Sequence, residues 1–227
     1  MKYGQIVGSD SVNDAIYSCF KFVSEADAKA YVKKFAKQPH DQDQVKHTFR
    51  ELVFGTFLAS NGLTVQSDRR FDGKTPDWTI LDNGDPKCVV EVATFHINKE
   101  IKDAIEAQLG ATGFAFVYQP DHTQRLFQTL ENKSTAYRDV IEKYNIAYVP
   151  GLFLAFDAAV NREQLDACLL DRDTGIFAAY PYVSGVLAFT ETIITYGFAY
   201  FPNPNALRPF PLPSGELGPS FFRQGQA

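Results

Sequence analysis

Two acidic side chains interrupt neighbouring apolar segments within residues 75–95. Asp77 opens the segment Asp-Trp-Thr-Ile-Leu, and Glu91 lies within Val-Val-Glu-Val. A carboxylate inside a buried strand costs several kcal/mol unless a cation or a hydrogen bond compensates it. Two such carboxylates, this close in the sequence, therefore predict a site that binds a cation.

The turn between these segments decides whether the two acids face each other. Asn83-Gly84 is the strongest short-range signal for a β-hairpin. A two-residue turn there would put the acids on opposite faces, but Pro86 disfavours it because proline cannot donate to a strand ladder. We therefore predict a three-residue loop, which pairs Asp82 with Pro86 and brings Asp77 directly opposite Glu91 as a divalent-cation site.

A third acid, Glu51, lies on a helix predicted over 42–60. Asp41 is the expected N-cap of this helix, and Asn61-Gly62 is its expected end. Residues 49–58 are apolar almost all round, which indicates a helix covered on most sides. Glu51 is either a further acid of the site or part of an ordinary ion pair on the helix surface.

The rest of the chain alternates helices and strands. Further helices are predicted over 25–37, 98–109, 123–144 and 162–170, and strands near 17–23, 63–66, 114–118, 148–156, 183–189 and 195–201. The apolar run 148–156 is typical of a central strand covered on both faces. This α/β pattern predicts one domain over 1–201, with its core at about 41–156. An extended proline-rich tail is predicted over 202–227.

Composition limits the classes of function. The chain has 227 residues, of which 45% are hydrophobic, enough for one core. Its net charge of -5 and pI near 5.4 argue against a broad, non-specific nucleic-acid-binding protein but leave a local basic groove open. Cys19, Cys88 and Cys168 match neither a zinc site nor a disulfide framework and predict buried thiols. With no secretory leader pattern and no long apolar run, we expect a soluble, cytoplasmic protein without a membrane partner.

The order of these features resembles one nuclease superfamily. A helix with Glu51, a short strand, Pro76-Asp77, a hairpin, and Glu91-Val92-Ala93 before the next helix is similar to the PD-(D/E)XK, or restriction-endonuclease-like, group. The resemblance covers about 41–118. It implies a central mixed sheet flanked by helices, here with an aromatic-rich C-terminal extension.

The same resemblance assigns roles to the acids. Asp77 and Glu91 would bind Mg²⁺ (or Mn²⁺) together with the carbonyl of Val92, and Glu51 would be the outer acid of the site. Mg²⁺ prefers carboxylate and water oxygens and is often shared with a substrate phosphate. The implied activity is that of a metal-dependent endonuclease that hydrolyses phosphodiester bonds, with DNA as the expected partner.

One position departs from the superfamily pattern, because Ala93 stands where the motif has lysine. Lys102 and Lys133 are candidates to supply the missing ammonium from other elements, and Lys99 is a further one. Two hypotheses follow: a nuclease with a relocated lysine, or a catalytically inactive module for nucleic-acid or protein recognition with no lysine near the acids. We favour the nuclease because three acids are retained, and a homodimer stays open as a further partner.

Other motifs carry less weight. Gly-rich phosphate loops, a Gly-x-Ser-x-Gly elbow and a His-Glu-x-x-His helix are absent from the sequence, and the four histidines lack metal-ligand spacing. Arg69, Arg70 and Lys74 precede Asp77 and form either a phosphate contact or a solvated loop.

Overall fold

The computed structural model describes residues 3–37, 40–112, 121–192 and 195–218. Within these ranges seven strands form one sheet, in which their spatial order follows the sequence. The strands are β1 (Thr64–Ser67), β2 (Trp78–Asp82), β3 (Asp85–Phe95), β4 (Ala147–Leu154), β5 (Gly185–Glu191), β6 (Tyr196–Pro202) and β7 (Gly215–Leu217). The β3–β4 and β4–β5 pairs are parallel and the other four pairs are antiparallel. The predicted α/β class with a mixed sheet is confirmed.

Helices cover both faces of this sheet. In the described part of the chain they are α1 (Asp10–Phe20), α2 (Glu25–Lys37), α3 (Gln42–Ser60), α4 (Lys99–Thr112), α5 (Thr123–Tyr144), α6 (Arg162–Leu170) and α7 (Ile176–Ala179), with a 3₁₀ turn at Phe156–Ala158. Asp41 caps α3 by accepting two backbone N–H groups, and Asn145 ends α5 with a left-handed φ of 50°. No helix among the described residues has the length and apolar character needed to cross a membrane.

Two hydrophobic clusters, one on each face, hold the layers together. On one face α1, α2 and α3 pack against the side of the sheet that carries Trp78, Val90 and Val92. On the other face α5, α6 and α7 pack against the side that carries Val89 and Ala93. The alternation of these strand residues between faces is the period of two expected for strands covered on both sides.

Most predicted elements are confirmed, including the helices over 25–37, 42–60, 123–144 and 162–170. The strand predicted over 17–23 is wrong, because most of that segment belongs to α1, whose helical spacing buries Ile16 and Cys19. The strand predicted over 114–118 lies outside the described residues. Cys19, Cys88 and Cys168 are buried free thiols, as predicted, and burial raises the pKa of each.

The chain beyond β6 packs back on the body of the protein. The short strand β7 pairs antiparallel with β6, with Leu217 opposite Tyr196. Leu212 and Leu217 are buried in the cluster that contains α3. The Tyr200 hydroxyl donates a hydrogen bond to the carbonyl of Phe210, 2.5 Å away. These contacts hold the segment against the body of the protein, with β7 as the edge strand.

Candidate functional site

The hairpin that carries the acids closes differently from the prediction. Asp82 lies opposite Asp85, so Asn83 and Gly84 form a two-residue turn. Both turn residues have positive φ, 51° and 88°, as a type I′ turn requires. The predicted three-residue loop is therefore wrong, and Pro86 does not prevent the tighter closure.

A β-bulge restores the expected alignment further along the hairpin. The register shifts by one residue beside Lys87, the extra residue on β3. From there to the start of β2 the pairing is that of the predicted register, with Trp78 opposite Val90. One further step along the same register places Asp77 opposite Glu91. The two acids thus occupy facing positions although the turn was predicted incorrectly.

Asp77 interacts electrostatically with both other acids of the site, Glu51 and Glu91. Its Oδ2 accepts a hydrogen bond from the backbone N–H of Val92 at 2.7 Å. Burial raises the pKa of Asp77 well above its ordinary value, and the charges of Glu51 and Glu91 raise it further. The Val92 hydrogen bond and the charge of Lys34 oppose this rise only in part. Asp77 is therefore a carboxyl group that holds its proton more tightly than an ordinary aspartate.

Glu91 is bound on both carboxylate oxygens by α5. Lys133 Nζ lies 2.9 Å from Glu91 Oε1, and the Tyr137 hydroxyl donates to Glu91 Oε2, also at 2.9 Å. Burial, followed by the charge of Glu91, raises the pKa of Tyr137, so this hydroxyl stays a donor. Lys133 and Tyr137 are four residues apart and share one face of the helix. The same spacing, once Lys133 was suspected, is the signal that could have pointed to Tyr137.

Glu51 is held in a similar way from the opposite layer. Its Oε2 lies 3.1 Å from Lys34 Nζ, and its Oε1 lies 3.1 Å from His47 Nε2. Burial favours the neutral form of Glu51, but the His47 hydrogen bond and the Lys34 charge keep its pKa below the ordinary value. Lys34 also pairs with Asp68 at 2.9 Å. Glu51 is only 7% exposed, so its ion pair with His47 is not an ordinary surface pair.

Trp78 fixes α3 relative to the hairpin. Its indole N–H donates to the backbone carbonyl of Glu51 at 2.7 Å, and its ring stacks on Tyr31 with centroids 5.5 Å apart. Gly55 admits the indole, because a Cβ there would lie 2.0 Å from two of its ring carbons. Since Trp78 directly follows Asp77, this anchor fixes the position of the Glu51 helix beside Asp77.

Of the candidate lysines, the structure brings Lys133 to the acids. Lys102 lies exposed on α4, and the side chain of Lys99 is outside the described residues. Ala93 is 4% exposed and packs in the α5 cluster, so a lysine at this position would be buried. Lys34 also reaches the acids, although no local sequence pattern links it to residues so distant in the chain.

The basic loop before Asp77 is engaged with the protein itself. Arg69 Nη1 lies 3.3 Å from the carbonyl of Gly84, and Lys74 Nζ donates to the carbonyl of Ala136 on α5. These contacts tie the loop to the hairpin turn and to α5.

The carboxylate oxygens of the site are of a type that suits a hard divalent cation, but the acidic side chains are not arranged around a cation position. Carboxylate oxygens are the donor type that Mg²⁺ prefers. Within the described part of the chain, no group of three or more His, Cys, Asp or Glu side chains is arranged to hold a metal ion. A cation at Glu91 would share a carboxylate oxygen with Lys133 or Tyr137, or displace one of them.

Comparison of the chain with family models, curated proteins and solved structures found no match in any of the three.

Proposed function

We propose that this chain is a Mg²⁺-dependent nuclease that hydrolyses phosphodiester bonds in DNA. The observation that carries the proposal is the convergence of three acids from separate parts of the chain: the hairpin register places Asp77 opposite Glu91, and Trp78 holds the Glu51 helix beside Asp77. The order of α3, β1, the β2–β3 hairpin and α4 supports the proposal, because it agrees with the order that a restriction-endonuclease-like core implies.

Bringing three carboxylates together serves no structural purpose by itself. Like charges in a partly buried site oppose one another's ionisation, whereas a divalent cation reverses that effect. In the proposal Asp77, Glu91 and the carbonyl of Val92 hold the metal, and Glu51 lies outside it. The bound metal supplies polarisation of the scissile phosphoryl oxygen and a lowered pKa of an attacking water.

In the proposal Lys133 supplies the ammonium group that the superfamily motif has at the position of Ala93. Its ammonium is 2.9 Å from Glu91 and 32% of its side chain is exposed, so it is accessible to a substrate phosphate. In the absence of metal it offsets the charge of Glu91. With Glu91 holding a metal, the Lys133 ammonium would be available to bind a phosphate oxygen, and Tyr137 would keep the other oxygen of Glu91 in place.

A catalytically inactive recognition module is the competing function. The contacts of Glu91 favour it, since each carboxylate oxygen already has a donor from the protein. Lys133 and Lys34 argue against it, because that hypothesis expects no lysine beside the acids.

The test is cleavage of plasmid DNA with Mg²⁺, with Mn²⁺, and with a chelator. We expect metal-dependent cleavage by the wild type and a loss of about 10²-fold or more in Asp77→Asn and Glu91→Gln. Lys133→Ala should lose a similar factor. Lys143→Ala is the matched control, because Lys143 on the same helix forms an exposed 2.7 Å ion pair with Asp72 and should retain full activity.

Two outcomes contradict the proposal. One is a folded wild type that cleaves neither DNA nor RNA with either metal and shows no calorimetric binding of Mn²⁺. The other is cleavage that survives Glu91→Gln unchanged, which would place the activity elsewhere on the molecule.

A further inference from the structure

Phe156 is the most exposed large apolar side chain in the described part of the chain, at 92% exposure. It opens the 3₁₀ turn directly after β4. The backbone on both sides is fixed: the N–H of Ala155 donates to the carbonyl of Phe95 at 3.0 Å, and the N–H of Ala158 donates to Ala155 at 3.0 Å. A fixed backbone presents this ring to solvent in one place, where its face is open to stack on a partner.

Two arginines contact His96, the residue that connects them to this turn. Arg125 Nη2 donates to the carbonyl of His96 at 3.0 Å, and Arg50 Nη1 lies 3.5 Å from His96 Nε2. His96 is in turn 4.0 Å from the carboxylate of Asp157, the residue after Phe156. We call Arg50, His96, Arg125 and Phe156 the shelf.

The guanidinium groups of the shelf are held by aromatic rings, not by carboxylates. Arg50 lies 4.0 Å from the ring centroid of Phe153, and Arg125 lies 4.8 Å from that of Phe95. Each arginine has five N–H donors, which leaves donors available in the contacts described. Nearby acids, Asp157 among them, reduce the positive field at Arg50 without occupying the group.

The shelf is continuous with the proposed active site. His47 connects Glu51 to Thr94 on β3, with distances of 3.1 Å to the glutamate and 3.3 Å to the threonine hydroxyl. Arg50 is the residue before Glu51 on α3. At the rise of a β-strand, Phe95 at the shelf end of β3 lies about 13 Å from Glu91. A DNA strand bound at the acids is long enough to span this distance and contact the shelf.

We propose that Phe156 stacks on an unpaired nucleotide base while Arg50 and Arg125 bind phosphates of the same strand. An aromatic ring beside cations is the combination that binds single strands without sequence preference. The inference rests on the proposed nuclease function and defines its substrate class as DNA with single-stranded or frayed bases. A fully paired duplex hides its bases from such a ring.

The test is binding of a fluorescein-labelled single-stranded DNA of about 16 nucleotides, followed by anisotropy in the presence of a chelator so that no cleavage intervenes. Phe156→Ala should weaken binding about 10-fold and should have little effect on a blunt duplex. Leu207→Ala is the matched control, since Leu207 is an apolar side chain that is 67% exposed and lies outside the shelf. Arg50→Gln and Arg125→Gln should each reduce the slope of affinity against salt concentration by about one.

Phe156→Trp gives an independent readout of stacking. It should keep the affinity of the wild type, and its indole fluorescence should be quenched by the oligonucleotide, whereas the buried Trp78 should not respond.

A wild type that binds and cleaves DNA while Phe156→Ala behaves like Leu207→Ala overturns this inference and leaves the nuclease intact. Loss of self-association in Phe156→Ala, with unchanged DNA binding, also overturns it in favour of a protein contact. A wild type that neither binds nor cleaves any nucleic acid overturns both proposals.

Discussion

Opposing electrostatic effects act on the pKa of Asp77. Burial and two neighbouring glutamates favour its protonated form, whereas one backbone N–H and Lys34 favour the charged form. The pKa of Asp77 is raised in the folded protein. The folded protein therefore keeps this proton up to a higher pH than the unfolded chain does. Stability from this group is therefore complete below the ordinary aspartate pKa and falls as the pH rises through the folded value.

The change Asp77→Asn should remove this pH dependence. Without metal, the wild type should lose unfolding free energy relative to Asp77→Asn as the pH rises from 4 toward 8, by about 1.4 kcal/mol per unit of pKa difference. Urea unfolding across this pH range measures it. Asp72→Asn is the control, since the hydrogen bond from Lys143 lowers the pKa of Asp72 and its contribution is lost only below the ordinary aspartate pKa, outside this pH range. Parallel stability curves for wild type and Asp77→Asn would contradict the assigned environment.

At the scale of residues, the sequence identified those site residues whose side-chain type is unusual for the residues around them. An acid among valines identified Glu91. The absence of a lysine at Ala93 directed the search to Lys99, Lys102 and Lys133, and the sequence did not choose among them. Lys34 and Tyr137 could not be found in this way. Lys34 lies on a helix with ordinary charge patterning, and its contact with Glu51 depends on how α2 packs against α3.

At the scale of elements, α3 owes its position to one close contact. The Trp78 indole lies against Gly55 and donates to the Glu51 carbonyl, so the helix cannot shift without losing both interactions. A buried tryptophan at the start of a strand and a glycine inside an apolar helix are each visible in the sequence. Their contact is not, because it depends on the packing of the two elements.

The change Gly55→Ala should be strongly destabilising, by about 1–3 kcal/mol or more, because its Cβ would overlap the indole ring. Gly110→Ala is the matched control on α4, where a Cβ would meet nothing within 4 Å and alanine should stabilise the helix by about 0.5–1 kcal/mol. Urea unfolding followed by the fluorescence of Trp78 measures both changes. Equal denaturation midpoints for the two variants would exclude the contact as the anchor of α3.

The hairpin shows why pairing is harder to predict than the existence of strands. The Asn83-Gly84 signal gave the turn, but weight placed on Pro86 gave the wrong loop length. The bulge at Lys87 then compensated for one residue, so the facing positions of Asp77 and Glu91 agree with the prediction for a different reason. Bulges depend on twist and packing across the whole sheet, which local composition does not encode.

At the scale of the whole molecule, the acids connect two layers that otherwise pack separately. Glu51 belongs to the α3 layer on one face, whereas Glu91 is bound by Lys133 and Tyr137 from the α5 layer on the other. Asp77 lies between them at the start of β2. Neutralising this group should therefore stabilise the assembly of helices on both faces of the sheet.

A divalent cation that binds these acids should raise the thermal stability of the whole protein. Mg²⁺ at about ten times its dissociation constant contributes about 1.4 kcal/mol, which corresponds to a rise of about 3–6 °C in Tm for a chain of this size. Calorimetry or dye-based thermal unfolding, with NaCl matched for ionic strength, measures the shift. The Asp77→Asn Glu91→Gln double variant should show only the salt effect.

The reference for this experiment is a double variant of two exposed acids, Asp72→Asn with Asp166→Asn. It likewise replaces two carboxyl groups by amides, here in the exposed ion pairs with Lys143 and Arg162. Its response to Mg²⁺ should equal that of the wild type, because neither acid lies in the site. Equal shifts in the wild type and in the Asp77→Asn Glu91→Gln variant would mean that the cation binds elsewhere. The charges of Glu51 and Glu91 would then be compensated within the protein, by Lys34 and Lys133, and not by a metal.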